Sequence, residues 1–379
     1  MKGEIGMNIL EEWGIVPYIN AHDTYTVYGG SRMSEATLDA MKEISKIFVD
    51  MEQLQRTLGE KIAAMTHNEA AYLCNGAAGG CMIAAAVCMT DGNLYRYSQL
   101  PRIVSGVKDE IIVMHCQHNA YDAALRSTGA HMIQIGDADE TLAFELEGAI
   151  NEHTAAIFYF DSALYRKASL PLKDTIEIAH RNHVPVVVDA AAQLPPPENF
   201  WKYTQMGADL VIFSGGKTLC GPQDSGLILG RKKLIHHCIT LGAPAHGICR
   251  SCKTSREAMI GLAVAIQQYL EQDQQLQRNI LDEKCHRIKE AMDKIALFRC
   301  KIVPYGPVGQ TYPRVFGYLP PAYSAQAFQK AMRERRIYIG AYPQENAISI
   351  SPLNLTDMDL NTVIIQLTEV ASQMLSQAI

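Results

Sequence analysis

Short apolar runs recur through the first two thirds of the sequence: Ala70–Leu73, Ile111–Met114, Met132–Ile135, Ala155–Phe160, Val184–Val188, Leu210–Phe213 and Leu227–Leu229. Several are continuous rather than alternating, the pattern of strands covered on both faces. Helix-like segments lie between them, Ala120–Thr128 and Leu172–Asn182 among them. Strand–helix alternation of this kind predicts an α/β domain with a mainly parallel sheet. Ahead of the runs, Leu38, Met41, Ile44, Phe48, Met51, Leu54 and Leu58 recur every third or fourth residue. That spacing predicts one helical stretch from Ser34 to about Met65.

After about Pro244 the texture changes. Residues from Ser255 to about Ile295 read as one or two long helices rich in Gln, Glu and Lys. Strand-like pieces follow at Arg314–Tyr318, Ile337–Ile339 and Ala347–Ile350, between helical ones. The expected organisation is an N-terminal segment (1–33), a large domain (34–250), and a linking helix with a small α+β C-terminal domain (251–379). The N-terminal segment is available to complete that small domain.

Charge and composition exclude several classes. A formal charge of -6 without a Lys/Arg-rich block leaves no electrostatic footprint for nucleic acid. The N-terminal MKGEIGMNILEEWG is acidic and lacks the apolar core of a signal peptide. Nowhere do about 18 consecutive apolar residues occur, so no membrane span is expected and the protein reads as cytoplasmic. The ten cysteines are scattered through apolar stretches. Cys249 and Cys252 form a C-x-x-C, but no further ligands follow at zinc spacing. No metal site is therefore expected, and free thiols in a reducing compartment are.

Three segments carry chemistry. In Ile212-Phe-Ser-Gly-Gly-Lys-Thr-Leu-Cys-Gly-Pro-Gln223, Lys217 follows an apolar strand between glycines. Such a lysine has little side-chain cover and can form a Schiff base with a carbonyl cofactor. A surface lysine on a glycine turn is the competing reading. In Val184-Pro-Val-Val-Val-Asp189-Ala-Ala-Ala-Gln193, Asp189 ends a buried strand and needs a cation or several donors. It can pair with the protonated nitrogen of a pyridine ring, or simply cap the next helix. Asp189 and Lys217 end successive strand units, and ligands of parallel sheets bind at such strand ends. In Cys74-Asn-Gly-Ala-Ala-Gly-Gly80, small residues precede the apolar helix Cys81–Met89. Backbone N–H groups there can approach a phosphate closely, though tight packing explains small residues equally well. No Gly-Lys-Ser/Thr follows, which excludes a P-loop. After the strand Ile111–Met114, His118 is placed to stack on a ring or to sit in a solvated loop.

These residues resemble fold-type-I pyridoxal-phosphate enzymes, and more narrowly the selenocysteine synthase group. Phe213–Gly226 resembles that group's Ser-Gly-x-Lys…Gly-Pro-Gln signature. Thr26-Val-Tyr-Gly-Gly-Ser-Arg-Met33, Phe48-Val-Asp-Met51 and Asp189-Ala-Ala-Ala-Gln-Leu-Pro-Pro196 resemble the D-glucosaminate-6-phosphate ammonia-lyase branch of the selenium-transferase-related proteins. The likeness runs from about Asn20 to about Ala265. It implies pyridoxal 5'-phosphate bound as a Schiff base on Lys217, with Asp189 on the ring nitrogen. It further implies cofactor contacts from Asn75, Gly76, Ala77, Ala78, His118, Gln193, Ser214 and Gly216. A homodimer or larger homo-oligomer follows, with Arg32 reaching substrate or phosphate across the interface. Arg250 and Lys253 become candidates for an anionic substrate tail, and Arg314 for a carboxylate. Cys220, Cys249 and Cys252 lie within or beside these motifs.

A selenocysteine synthase carries an N-terminal tRNA-binding domain, whereas here the cofactor domain begins almost at once. A small-molecule substrate is expected instead. The implied reaction is α,β-elimination of ammonia from a β-hydroxy amino acid, a phosphorylated amino sugar acid being one candidate. Racemisation, aldol cleavage and transamination use the same lysine and aspartate. A cofactor-binding protein without catalysis is the reading from another class, and the presence of both Lys217 and Asp189 speaks against it.

Overall fold

A computed structural model describes residues 5–377. The stretch after Ser34 forms two helices rather than one, α1 (Glu35–Ser45) and α2 (Met51–Met65). Ser34 caps the first by accepting from the Thr37 N–H (3.1 Å), and Asp50 caps the second through the Gln53 N–H (2.8 Å). Between them the apolar spacing continues in sequence but not in burial, since Phe48 is 98% exposed. The β-branched Ile47 and Val49 beside it also weaken a helix at the junction.

The apolar runs become β1 (Ala70–Asn75), β2 (Glu110–Met114), β3 (His131–Ile135), β4 (Thr154–Phe160), β5 (Val186–Asp189), β6 (Leu210–Ser214) and β7 (Ser225–Gly230). They form one sheet in the order β1-β7-β6-β5-β4-β2-β3. Its pairings are parallel except the two made by β7, which is antiparallel to β1 and β6. The link from β6 to β7 is too short for a helical crossover, so β7 must run back. Along each central strand the side chains alternate between two cores. Val186, Val188, Val211, Phe213, Leu227 and Leu229 enter one, while Val187, Leu210, Ile212 and Ile228 enter the other. Burial on both faces is the reason these strands read as continuous apolar runs.

The phosphate-sized turn differs from expectation in one respect. β1 continues to Asn75 and helix α3 (Gly76–Thr90) starts immediately, ahead of the Cys81 start expected from the sequence. Close packing with β7 permits this: a Cβ on Gly226 would come within 2.5 Å of the Gly76 carbonyl oxygen. α3 closes the second core through Cys81, Ile83 and Val87. Helix α4 (Arg256–Glu271) helps α2 close the first, through Leu262 and Ile266 beside Leu58 and Ile62.

The chain divides into two units. One comprises Gly29–Gln272 with Pro307–Thr311; the other holds the described residues up to Tyr28, Asp273–Gly306 and those from Tyr312 on. These limits differ from 33/34 and 250/251 because α4 packs into the large unit's core. On the other side, Ile19 and Asn20 pair in parallel with Ile337 and Tyr338 inside the small unit. That unit also carries β8 (Arg299–Val303), β9 (Arg314–Tyr318), β10 (Gly340–Tyr342) and β11 (Ala347–Ile350). They form an antiparallel sheet in the order β10-β11-β9-β8. Among the described residues no helix is long and apolar enough to cross a membrane. All ten cysteines are free; six are buried, Cys116, Cys252 and Cys300 half-buried, and Cys220 exposed.

Candidate active site

The C-terminal ends of β1, β2, β5 and β6 share one edge of the large unit's sheet, and the expected cofactor residues of that unit follow from them. Ser214 ends β6, and Lys217 lies in the loop that turns back to β7. That loop is clamped from 185 residues away: Ser31 Oγ donates to the Lys217 carbonyl oxygen (2.6 Å) and the Gly216 carbonyl oxygen (3.1 Å). With its amide turned to suit its neighbours, Gln223 donates to the carbonyls of Gly29 (3.1 Å) and Gly216 (3.3 Å). Gly30 has φ +69°, and a Cβ there would fall 2.5 Å from the Gly216 oxygen. The glycines therefore let two backbones meet, and the lysine stem leaves a fixed platform. Sequence reasoning named neither Ser31 nor Gln223 as positioning residues.

Asp189 ends β5 and is 8% exposed. Its Oδ1 accepts from the Ala191 N–H (2.9 Å), and its Oδ2 accepts from the Cys81 thiol on α3 (3.5 Å). Burial pushes its pKa up, while the Ala191 N–H, the Lys217 charge and the Cys81 thiol oppose the rise. Burial wins, so this carboxylate still calls for a cation.

At the start of α3, the N-cap side chain of Asn75 makes no capping bond to the first-turn N–H groups. Its Nδ2 points instead to the Lys253 carbonyl oxygen (3.4 Å). The first turn, with Gly76, Ala77 and Ala78, thus keeps donors for an anion. Cys252 lies beside this turn, 3.5 Å from where a Gly79 Cβ would be. This places the segment with Arg250 and Lys253, both exposed, against the cradle.

His118 follows the 3-10 turn after β2. Its Nδ1 pairs with Asp122 Oδ2 (2.7 Å), and its buried Nε2 has no hydrogen-bond partner among the described residues. Tyr165, which sequence reasoning missed, senses both carboxylates: burial first, then the charges of Asp122 and Asp189, raise its pKa. Gln193 is buried, and its Nε2 donates to the carbonyls of Asp161 (2.8 Å) and Val308 (3.3 Å). These bonds tie down the loop after β5. Asp161, another residue without a signal in the sequence, accepts from Tyr203 Oη (2.6 Å) at the end of β4.

Arg32 is exposed next to the clamp residue Ser31. Arg314 belongs to the small unit and is described within it. There its Nη1 donates to Tyr342 Oη (2.7 Å), its guanidinium lies 5.0 Å from the Phe316 ring, and its Nε is buried without a partner among the described residues.

The requirements of pyridoxal phosphate are an amine for its aldehyde, an anion for its ring nitrogen, N–H groups for its phosphate and a flat group for its ring face. Lys217, the desolvated Asp189, the uncapped start of α3 and His118 match them one for one, on a sheet of the matching topology. The fold and this edge define a fold-type-I pyridoxal-phosphate enzyme. Within that class the chain belongs to the L-seryl-tRNA selenium transferase family, whose description matches residues 28–297.

Relatives of the chain are named for different reactions. D-glucosaminate-6-phosphate ammonia lyase of Salmonella typhimurium is 33% identical over 69% of this chain and 70% of its own. A 5'-C-glycyluridine monooxygenase-decarboxylase of a Streptomyces species is 32% identical over 74% of this chain and 70% of its own. A solved structure of D-glucosaminate-6-phosphate ammonia-lyase superposes with a TM-score of 0.84 at 28% identity, covering 97% of this chain and 98% of that one.

Proposed function

We propose that the protein is a pyridoxal-phosphate-dependent ammonia lyase acting by α,β-elimination on a β-hydroxy amino acid, with phosphorylated amino sugar acids as its substrate class. The observation that carries this reading is the likeness to D-glucosaminate-6-phosphate ammonia lyase, which extends over most of the sequence and nearly the whole fold.

Asn75, Gly76, Ala77, Ala78 and Ser214 would hold the cofactor's phosphate, His118 its ring face, Asp189 its ring nitrogen and Lys217 its aldehyde carbon. Gln193 and Gly216 shape the loops around it. Bound there, the cofactor supplies an electron sink for a carbanion at the substrate Cα. Asp189, ionised against a ring cation in a dry site, keeps the ring nitrogen protonated. Lys217 Nζ, once freed as an amine, removes the α-proton. It then passes a proton to the β-hydroxyl, so that water leaves and hydrolysis of the enamine gives a 2-keto acid and ammonia.

Arg250 and Lys253, exposed beside the α3 turn, are suited to a phosphate tail. Arg314, with its buried unpaired Nε, is suited to a bidentate grip on a carboxylate. Arg32 is assigned to substrate or phosphate across a subunit interface. A homodimer or larger homo-oligomer is the assembly that goes with this reading. The net charge of -6 favours a small substrate over tRNA.

The test is a screen of β-hydroxy amino acids, with and without a phosphate tail, scored for ammonia and 2-keto acid. Both products are expected, best with a phosphorylated amino sugar acid. Inversion at Cα, aldehyde release or amino transfer without ammonia would replace elimination by racemisation, aldol cleavage or transamination. Oxygen uptake with loss of carbon dioxide would align the protein with its Streptomyces relative. No turnover of any substrate by cofactor-loaded protein would leave a binding protein.

A further inference from the structure

Asp189 is gripped by a side chain that arrives from 108 residues away. Cys81 sits one turn inside α3, is 0% exposed, and directs its Sγ to Asp189 Oδ2 at 3.5 Å. We propose that Cys81 is a positioning residue for Asp189, its thiol fixing the carboxylate that faces the cofactor's ring nitrogen.

The geometry divides the donors between the two oxygens. The Ala191 N–H holds Oδ1 and the thiol holds Oδ2, so the plane of the carboxylate is set from both sides. The thiol keeps its proton at any ordinary pH, because burial and then the charge of Asp189 push its pKa well up. It therefore acts as a donor and not as a competing anion. When the Lys217 amine is committed to covalent work, the carboxylate loses that cation. The thiol and the Ala191 N–H then remain to orient it.

Helix α3 thus has two duties. Its first turn presents N–H groups to the phosphate, and Cys81 orients the acid that meets the ring. Both ends of the cofactor would be referenced to one rigid element, which is itself packed in the second core. An alanine at this position would keep the helix but remove the thiol donor. A serine would fill nearly the same space and donate an O–H instead.

The test is a fluorescence titration of the cofactor-free protein with pyridoxal phosphate, repeated on Cys81→Ala and Cys81→Ser. Cys81→Ala is expected to weaken binding about five- to tenfold, the scale of one weak donor to a charged acceptor. It is also expected to shift the pH profile of the bound cofactor's absorbance. Cys81→Ser should restore both. In an Asp189→Asn background Cys81→Ala should weaken binding no further, because the acceptor has lost its charge. Wild-type affinity and pH profile in Cys81→Ala would overturn the proposal. So would equal losses in both variants, or additive losses in the double variant. Melting of each cofactor-free variant reports any loss of fold separately. The proposal rests on the cofactor and not on the substrate, so this titration and the ammonia screen fail independently.

Discussion

Two buried aspartates occupy opposite ends of the same strands, and their surroundings differ. Asp209 lies just before β6 and is 4% exposed. Its Oδ1 meets Arg231 Nε at 2.7 Å; its Oδ2 meets His180 Nε2 at 2.9 Å and accepts the Val186 N–H at 2.8 Å. Asp189, at the far end of β5, has a backbone N–H, a weak thiol donor and the charge of Lys217. The protein itself completes Asp209, which pins β5 and β6 together. Under the proposed function Asp189 would be completed by a ring cation that the chain does not supply. A buried carboxylate left with few donors is a candidate ligand site, whereas one met by a guanidinium, an imidazole and a backbone N–H is tied into the fold.

The largest expected effect separates the two sites by function. Asp189→Asn should lower turnover about a thousandfold or more, since the ring nitrogen loses the anion that keeps it protonated. Asp209→Ala should leave the pyridoxal phosphate affinity within error and lower stability instead. Removing that carboxylate strands the buried Val186 N–H, while the half-exposed Arg231 and His180 can turn to water. The loss should be about 2–3 kcal/mol, below the full value for a broken buried pair. Urea unfolding of the cofactor-free proteins measures it. An Asp209→Ala protein of normal stability, or an Asp189→Asn protein of normal turnover, would break the contrast.

The sequence made the strand ends legible and left their partners hidden. Each of the large unit's strands lies over an apolar run, and β9 and β11 coincide with Arg314–Tyr318 and Ala347–Ile350. Burial on both faces writes itself into consecutive residues, so local pattern suffices there. Lys217, Asp189 and the Asn75–Gly79 turn stood out because each follows such a strand. The edge strands β8 and β10 carry no continuous apolar run, and sequence analysis did not find them. Nor did the helix period reveal the break at Lys46–Asp50, because Phe48 keeps the spacing while facing solvent. Ser31 on the Lys217 carbonyl and Cys81 on Asp189 are contacts between distant segments. A hydroxyl or thiol in such a contact leaves no periodicity to read.

The smallest effect tests the contrast most directly, because it predicts that an active-site substitution stabilises the protein. Burial raises the pKa of Asp189 in the folded, cofactor-free state above that of the unfolded chain. Between those two values the folded state binds more protons, so stability falls as pH rises through the window and stays lower above it. Asparagine keeps an acceptor for the Ala191 N–H and never ionises. Cofactor-free Asp189→Asn should therefore be more stable than wild type at pH 7, by on the order of 1 kcal/mol, the scale of a poorly compensated buried polar group. The two proteins should converge at a pH below the ordinary carboxylate range. Saturating pyridoxal phosphate should raise the wild-type midpoint further than the variant's and reverse their order. Melting curves from pH 3 to 8, with and without cofactor, decide it. A cofactor-free variant less stable than wild type at neutral pH would show that Asp189 is a staple like Asp209, held by the chain for the fold rather than for the ring.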